Sequence, residues 1–182
     1  MKRLHTASNE RRVCSRASGT LYLYKQLREM SNPEIACDCA EDDVSQWTIS
    51  IGMGLLPHTM HCYLKRWAKM AQQAPTIVLS VRFPNDYPNG VPFVRVVRPR
   101  FRYRTGHVTI GGSICTPLFT PDGWQPMNIE SLVLTVVQTL IEGGALFQLA
   151  PDQHHPAPFA DYSEREARDA FVRVAEQHGW KV

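Results

Sequence analysis

Nowhere among the 182 residues does an uninterrupted apolar run approach the ~20 positions needed to cross a bilayer, so no membrane-spanning helix is expected. The first 18 residues are polar and basic and lack an apolar stretch behind their charges (Lys2, Arg3, Arg11, Arg12 and Arg16). They do not read as a secretory signal, and we expect a flexible tail over 1–18 ahead of one domain over 19–182. A strong charge of one sign is also missing. The formal net charge of +3 is too small to argue for nucleic acid. Nor is there an even set of cysteines: the chain has five, which without an export signal points to a reducing compartment, cytoplasm or nucleus.

Metal-binding spacing is absent as well. Cys37-Asp38-Cys39 is one residue short of a CxxC knuckle and has no matching second pair. His58, His61 and Cys62 share a predicted helix but lack a fourth ligand, and His154-His155 stand in a loop. No local signature of a Ser-His-Asp or papain-like site is present. We therefore expect no metal and no organic cofactor.

What is present is an ordinary globular composition, 43% hydrophobic and 20% charged. Thr20 to Met30 places Leu23, Leu27 and Met30 on one helical face, and Asn32-Pro33 stops it. Cys37 to Asp43 reads as an acidic loop. Gln46 to Ile51, Thr76 to Phe83 and Pro92 to Val97 read as strands, the last two joined by the turn PNDYPNG. Pro57 to Gln73 has helical spacing, with Lys65, Arg66 and Lys69 near its end. The strongest helix carries Ile129, Leu132, Val133, Val136, Val137, Leu140 and Ile141 on one face, capped by Asn128 and ended by Gly143-Gly144. A last helix opens with the capping-box pair Ser163 and Glu166. Helix, successive strands, then helices make an α+β meander.

Between Arg98 and Gln125 no period holds. Long irregular stretches in a compact domain are often functional. Cys115 lies there, in GGSICTPLFTPDGWQP, flanked by Gly111, Gly112 and Gly123. Two readings stand side by side on the residues alone: a small packed hydrophobe beside Ile114 and Leu118, or a nucleophile held on a loop.

Three stretches together resemble the ubiquitin-conjugating family: VRFPNDYPNGVPFVRVV, SICTPLFTPDGWQP and IESLVLTVVQTLIEG, with LYLYKQLREM ahead of them. The resemblance runs from about Thr20 to Val182. It is nearest the Q-type subfamily, which shares PFVRVVRPRF leading into GHVTIGGSIC, an extra helix between the first strands, and His178-Gly179-Trp180 near the end. It implies an α+β fold with a sheet of about four antiparallel strands, an N-terminal helix, an inserted helix and two C-terminal helices. It further implies that Cys115 carries ubiquitin or a ubiquitin-like protein as a thioester. An activating enzyme would supply the modifier, and an acceptor amine would receive it. Asp152 falls near the place where the family often sets an acidic residue by the acceptor. The alternative is an inactive interaction module on the same fold.

The sequence also departs from the family. The usual His-Pro-Asn before the cysteine is replaced by Thr105-Gly106-His107, a loss that is itself a Q-type trait. We expect His107, or a backbone N–H near Gly111-Gly112, to replace the oxyanion donor. Asn89 stands where many relatives carry an aromatic anchor for RING-type ligases. The second ligase-contact loop reads Trp124-Gln125-Pro126-Met127 and keeps only Pro126 of the usual pattern, so use of such ligases is expected to be weak or atypical. Trp124 itself is expected in the core.

Overall fold

The computed structural model describes residues 19–40 and 43–181; the expected tail over 1–18 lies outside the described residues. Residues 19–29 are helical (α1). There follow β1 (Ile35–Ala40), β2 (Asp43–Ile51), α2 (His58–Ala71), β3 (Ile77–Arg82), β4 (Phe93–Arg98), α3 (Ile129–Glu142) and α4 (Glu164–His178). The four strands form one antiparallel sheet in the order β1-β2-β3-β4. This is the α+β meander with an inserted and two C-terminal helices, and the structure bears it out.

The segment Cys37 to Asp43 corrects the expectation of an acidic loop, because most of it belongs to β1. Ile35 pairs with Ile51 and Cys37 with Ile49. Ile35, Cys37 and Cys39 are buried or half-buried while Ala36 and Asp38 are exposed, the period of two expected for an edge strand. The cysteines act here as small apolar residues, and burial pushes the Cys37 thiol up to about 12. Because β1 precedes the strand read as first, α2 lies between the second and third strands.

The core is continuous across the sheet and helices. Trp47, Ile49 and Ile51 of β2 join Leu64 and Trp67 of α2 and most of the apolar face of α3. β3 is buried from Ile77 to Val81, so both of its faces are covered. In α3, Ile129, Leu132, Val133, Val136, Val137 and Leu140 are buried, each contributing roughly 1.5–3 kcal/mol of transfer free energy. Ile141, expected on that face, is exposed instead. Asn128 Oδ1 accepts from the Ser131 N–H at 2.7 Å, and Ser163 and Glu166 close a full capping box at the start of α4.

The His61 Nε2 bonds the carbonyls of Met53 and Leu56 at 2.7 and 2.9 Å. No cluster of three His, Cys, Asp or Glu side chains able to hold a metal occurs among the described residues. No described helix is long and apolar enough to cross a membrane.

Candidate active site

The outer edge of β4 positions Cys115. The Val96 N–H donates to the Gly112 carbonyl at 2.8 Å, the Ile114 N–H donates to Val94 at 3.3 Å, and Arg95 bridges Ser113. Residues 112–114 therefore extend the sheet by a few positions, with Ser113 and Ile114 buried. Cys115 is the first residue beyond that anchor. Its own N–H donates to the His107 carbonyl at 2.7 Å, and Val108 bridges Ile114. On the far side, Thr116 Oγ1 accepts from Leu118 N–H and caps a short 3-10 turn, Pro117–Phe119.

The glycines before the cysteine have a definite task. A Cβ at Gly111 would lie 2.0 Å from the Glu166 carbonyl of α4, and one at Gly112, whose φ is +96°, would strike the Tyr162 ring. Only bare backbone lets this segment pass under the start of α4. The close approach is made to α4 and to Tyr162, two residues before it.

Cys115 is half-buried and lines an open groove of about 470 Å³. Tyr103, Arg104 and His107 come from the loop before it, His154 from the loop after α3, and Arg173 and His178 from α4. Burial pushes the Cys115 thiol above its ordinary 9.0. Free thiols at Cys37 and Cys39 are half-buried, and Cys62 is exposed on α2.

His107 is exposed in the same groove. Gly106 and His107 both have positive φ, +68° and +51°, and the Val108 N–H donates to the Thr105 carbonyl, which defines a tight turn of type I′. The C-terminus of α3 supports it: the Gly106 N–H donates to the Gly143 carbonyl at 2.8 Å, and a Cβ at Gly143 would collide with the His107 nitrogen. The Gly112 N–H, offered from sequence as a backbone oxyanion donor, is already given to the Thr109 carbonyl at 2.9 Å.

Asp152 is not in the lining of this groove. It lines a separate depression of about 330 Å³ with Tyr63, Arg102 and Gln148. Its Oδ1 accepts the N–H groups of His154 and His155, and Oδ2 accepts from Gln148. The His155 N–H foremost holds this carboxyl below its usual range. Its role in the structure is to fold the loop that presents His154, whose ring stacks on Tyr103 with centroids 4.0 Å apart.

The two loops expected to meet a ligase are stitched to each other. Trp124 is buried, as expected, and its Nε1 donates to the Pro88 carbonyl at 2.9 Å, while the Tyr87 hydroxyl donates to the Met127 carbonyl at 2.7 Å. Asn89 and Pro126 are exposed beside these bonds, and Met127 is half-buried.

What sequence reasoning missed is the contribution of α4. Arg173 and Gln177 reach the cysteine's groove from about sixty residues away. Their only signal was polarity on a helix whose opposite face is apolar, which marks an exposed face and not its neighbour.

Comparison with known proteins bears on the fold. No family model matches the chain. It is 26% identical over 172 residues to a Q-like ubiquitin-conjugating protein of Drosophila melanogaster, covering 88% of this chain and 52% of that one. It is 28% identical to the Ubiquitin-conjugating enzyme E2 Q1 of Mus musculus, covering 92% of this chain and 40% of the relative. A Q-like ubiquitin-conjugating protein of Homo sapiens is 25% identical, with 86% and 92% covered. The chain thus spans about half the length of the first relative or less of the second, and nearly all of the third. Among solved structures, human Ubiquitin-conjugating enzyme E2 G1 superposes with a TM-score of 0.50 at 20% identity, covering 68% of this chain and 95% of that one. The chain has the ubiquitin-conjugating fold and, over most of its length, is similar to ubiquitin-conjugating proteins of the Q and Q-like group.

Proposed function

We propose that the chain carries ubiquitin, or a ubiquitin-like protein, as a thioester on Cys115 and passes it to an acceptor amine. The observation that supports this reading most is the exposure of Cys115. The thiol sits half-buried in an open groove, on backbone held from both sides, whereas Cys37 and Cys39, also half-buried, pack against the core. The Cys115 thiolate attacks the thioester carbonyl on an activating enzyme. A tetrahedral intermediate forms and expels that enzyme's cysteine as a thiolate. The exchange replaces one thioester by another and is close to balanced in energy. The acceptor amine then attacks the new carbonyl, loses its proton to solvent or a base, and releases the Cys115 thiolate with an amide.

In this reading His107 donates a hydrogen bond to the oxyanion. It lines the cysteine's groove, and of the backbone alternatives at Gly111-Gly112 the Gly112 N–H is already engaged. Asp152 acts on the acceptor only through the loop that presents His154. Partners are the modifier, its activating enzyme, the acceptor and a ligase that docks without an aromatic anchor at Asn89; robust stimulation of discharge by an ordinary RING domain would contradict the last. No metal or organic cofactor takes part, and no nucleic acid or membrane is required.

The test is a loading assay with activating enzyme, ubiquitin and ATP, run with and without reductant. Wild type should give a reductant-sensitive adduct, and Cys115→Ser should lose it or form a reductant-resistant ester. Absence of an adduct with ubiquitin and the common ubiquitin-like proteins would favour an interaction module.

A further inference from the structure

We infer that the groove around Cys115 selects acceptor segments in which the modified residue is flanked by carboxylates. The inference rests on the carrier reading above and concerns the acceptor side of the same site. Two arginines, Arg104 and Arg173, and three histidines, His107, His154 and His178, line the groove, and no Asp or Glu does. Neither arginine makes a salt bridge or side-chain hydrogen bond among the described residues. The chain's other arginines at the base of α4 are largely committed: Arg98 to Asp161, Arg100 to Glu166 and Arg168 to Glu164. The acids nearest in sequence are placed elsewhere. Glu142 accepts from Gln138 at 2.8 Å, while Asp169 and Glu176 lie on α4 outside the lining.

Arg104 is held in place from two sides. Its backbone has φ +59°, and its guanidinium carbon lies 5.2 Å from the centroid of the Tyr103 ring, which itself stacks on His154. Arg173 enters the same groove from α4. A chain laid across Cys115 therefore meets two arginines without salt-bridge partners among the described residues and no carboxylate in the lining. Complementary charge in such a cleft favours an acidic segment and disfavours a basic one. Arginine also offers paired N–H donors to a carboxylate, so side chains on either side of the acceptor can be bound bidentately.

Two measurements on the unloaded chain test this without an activating enzyme. The probes are a fluorescent peptide holding one lysine between glutamates and its twin with glutamines in their place. Binding is read by anisotropy at low and at physiological salt. Occupancy of the groove is read by mass spectrometry, as protection of Cys115 from alkylation, with exposed Cys62 as the internal control. The acidic peptide should bind about tenfold tighter than its twin, as expected for two exposed ion pairs. It should slow alkylation of Cys115 but not of Cys62, and lose this advantage at higher salt. The double variant Arg104→Gln/Arg173→Gln, with its melting temperature measured as a control for folding, should abolish the difference; Lys65→Glu/Arg66→Glu on α2 should not. Equal binding and equal protection by both peptides would overturn the inference, as would a preference that survives the double variant. Failure of Cys115 to load in the adduct assay would instead sink the carrier reading, leaving these binding results to be judged separately.

Discussion

The backbone N–H of Cys115 donates to the carbonyl of His107 across 2.7 Å, so the cysteine and the histidine in the left-handed turn move as one unit. A substitution at position 107 therefore acts in two ways, through the side chain and through the backbone. Replacing His107 by alanine removes the imidazole and keeps a Cβ in a region that disfavours it. Glycine removes the imidazole and relieves the backbone. If the imidazole serves the oxyanion, discharge of loaded Cys115 to free lysine should fall about 100-fold in both variants, the scale of a lost oxyanion donor. Slowing in His107→Ala alone would assign the effect to turn geometry, and wild-type rates in both would dismiss the side chain. Urea unfolding should place His107→Gly at or above wild-type stability and His107→Ala below it.

The reactivity of Cys115 should depend steeply on pH. Burial raises its thiol above 9.0, so at neutral pH only a small fraction is thiolate. Deprotonation produces the attacking form, so alkylation of Cys115 should keep climbing as pH rises through 9.0. A plateau near neutrality would show that a neighbouring group stabilises the thiolate after all. The readout is the rate at the Cys115 peptide, resolved from Cys62.

Gly111 and Gly144 should respond differently to the same change. Alanine at Gly111 puts a methyl group 2.0 Å from a backbone oxygen of α4, which cannot yield without moving the helix or the loop. We expect a loss above about 2 kcal/mol and a displaced Cys115 segment. At Gly144, φ is +60° but nothing lies within 4 Å, so only the left-handed conformation resists, at about 1 kcal/mol. Denaturant midpoints of the two variants check the contrast.

Trp124 joins the two loops on the proposed ligase-facing surface. Trp124→Phe keeps the ring packing against Tyr87 and Phe119 but leaves the Pro88 carbonyl without its donor. It should cost about 1 kcal/mol. Trp124→Ala should cost about 3–5 kcal/mol and loosen the loops holding Asn89 and Pro126 together. Amide exchange over 84–91 and 124–128 should rise in the second variant far more than in the first.

The elements that were legible share one trait: their signal is local. The apolar stripe of α3, its Asn128 cap and the Ser163–Glu166 box each depend on residues within a turn or two. The edge strand β1 is hidden in the sequence because the acidic residues of Cys37 to Asp43 read as a loop. Counted as apolar residues, Cys37 and Cys39 complete the alternation that Ile35 begins. Asp152 was placed near the acceptor by its position in a loop, but its oxygens are turned to the N–H groups of that loop. Loop acids of this kind bind their own backbone readily, and spacing along the chain does not reveal which way they face.

The amino-acid sequence carried the helices and the three strands after β1, the cysteine in an irregular segment before the strongest helix, and the likeness to the ubiquitin-conjugating family. The elements follow from side-chain periodicity and from residue types at short spacing, and the likeness from whole stretches such as SICTPLFTPDGWQP that resemble the family. Only the tertiary structure decided that Cys115 stands half-open at the edge of β4, that Gly111 and Gly112 are needed for the passage beneath α4, and that Arg104 and Arg173 share one groove. Each joins residues distant in sequence, and such proximity is set by how the sheet and helices pack, which no local pattern encodes.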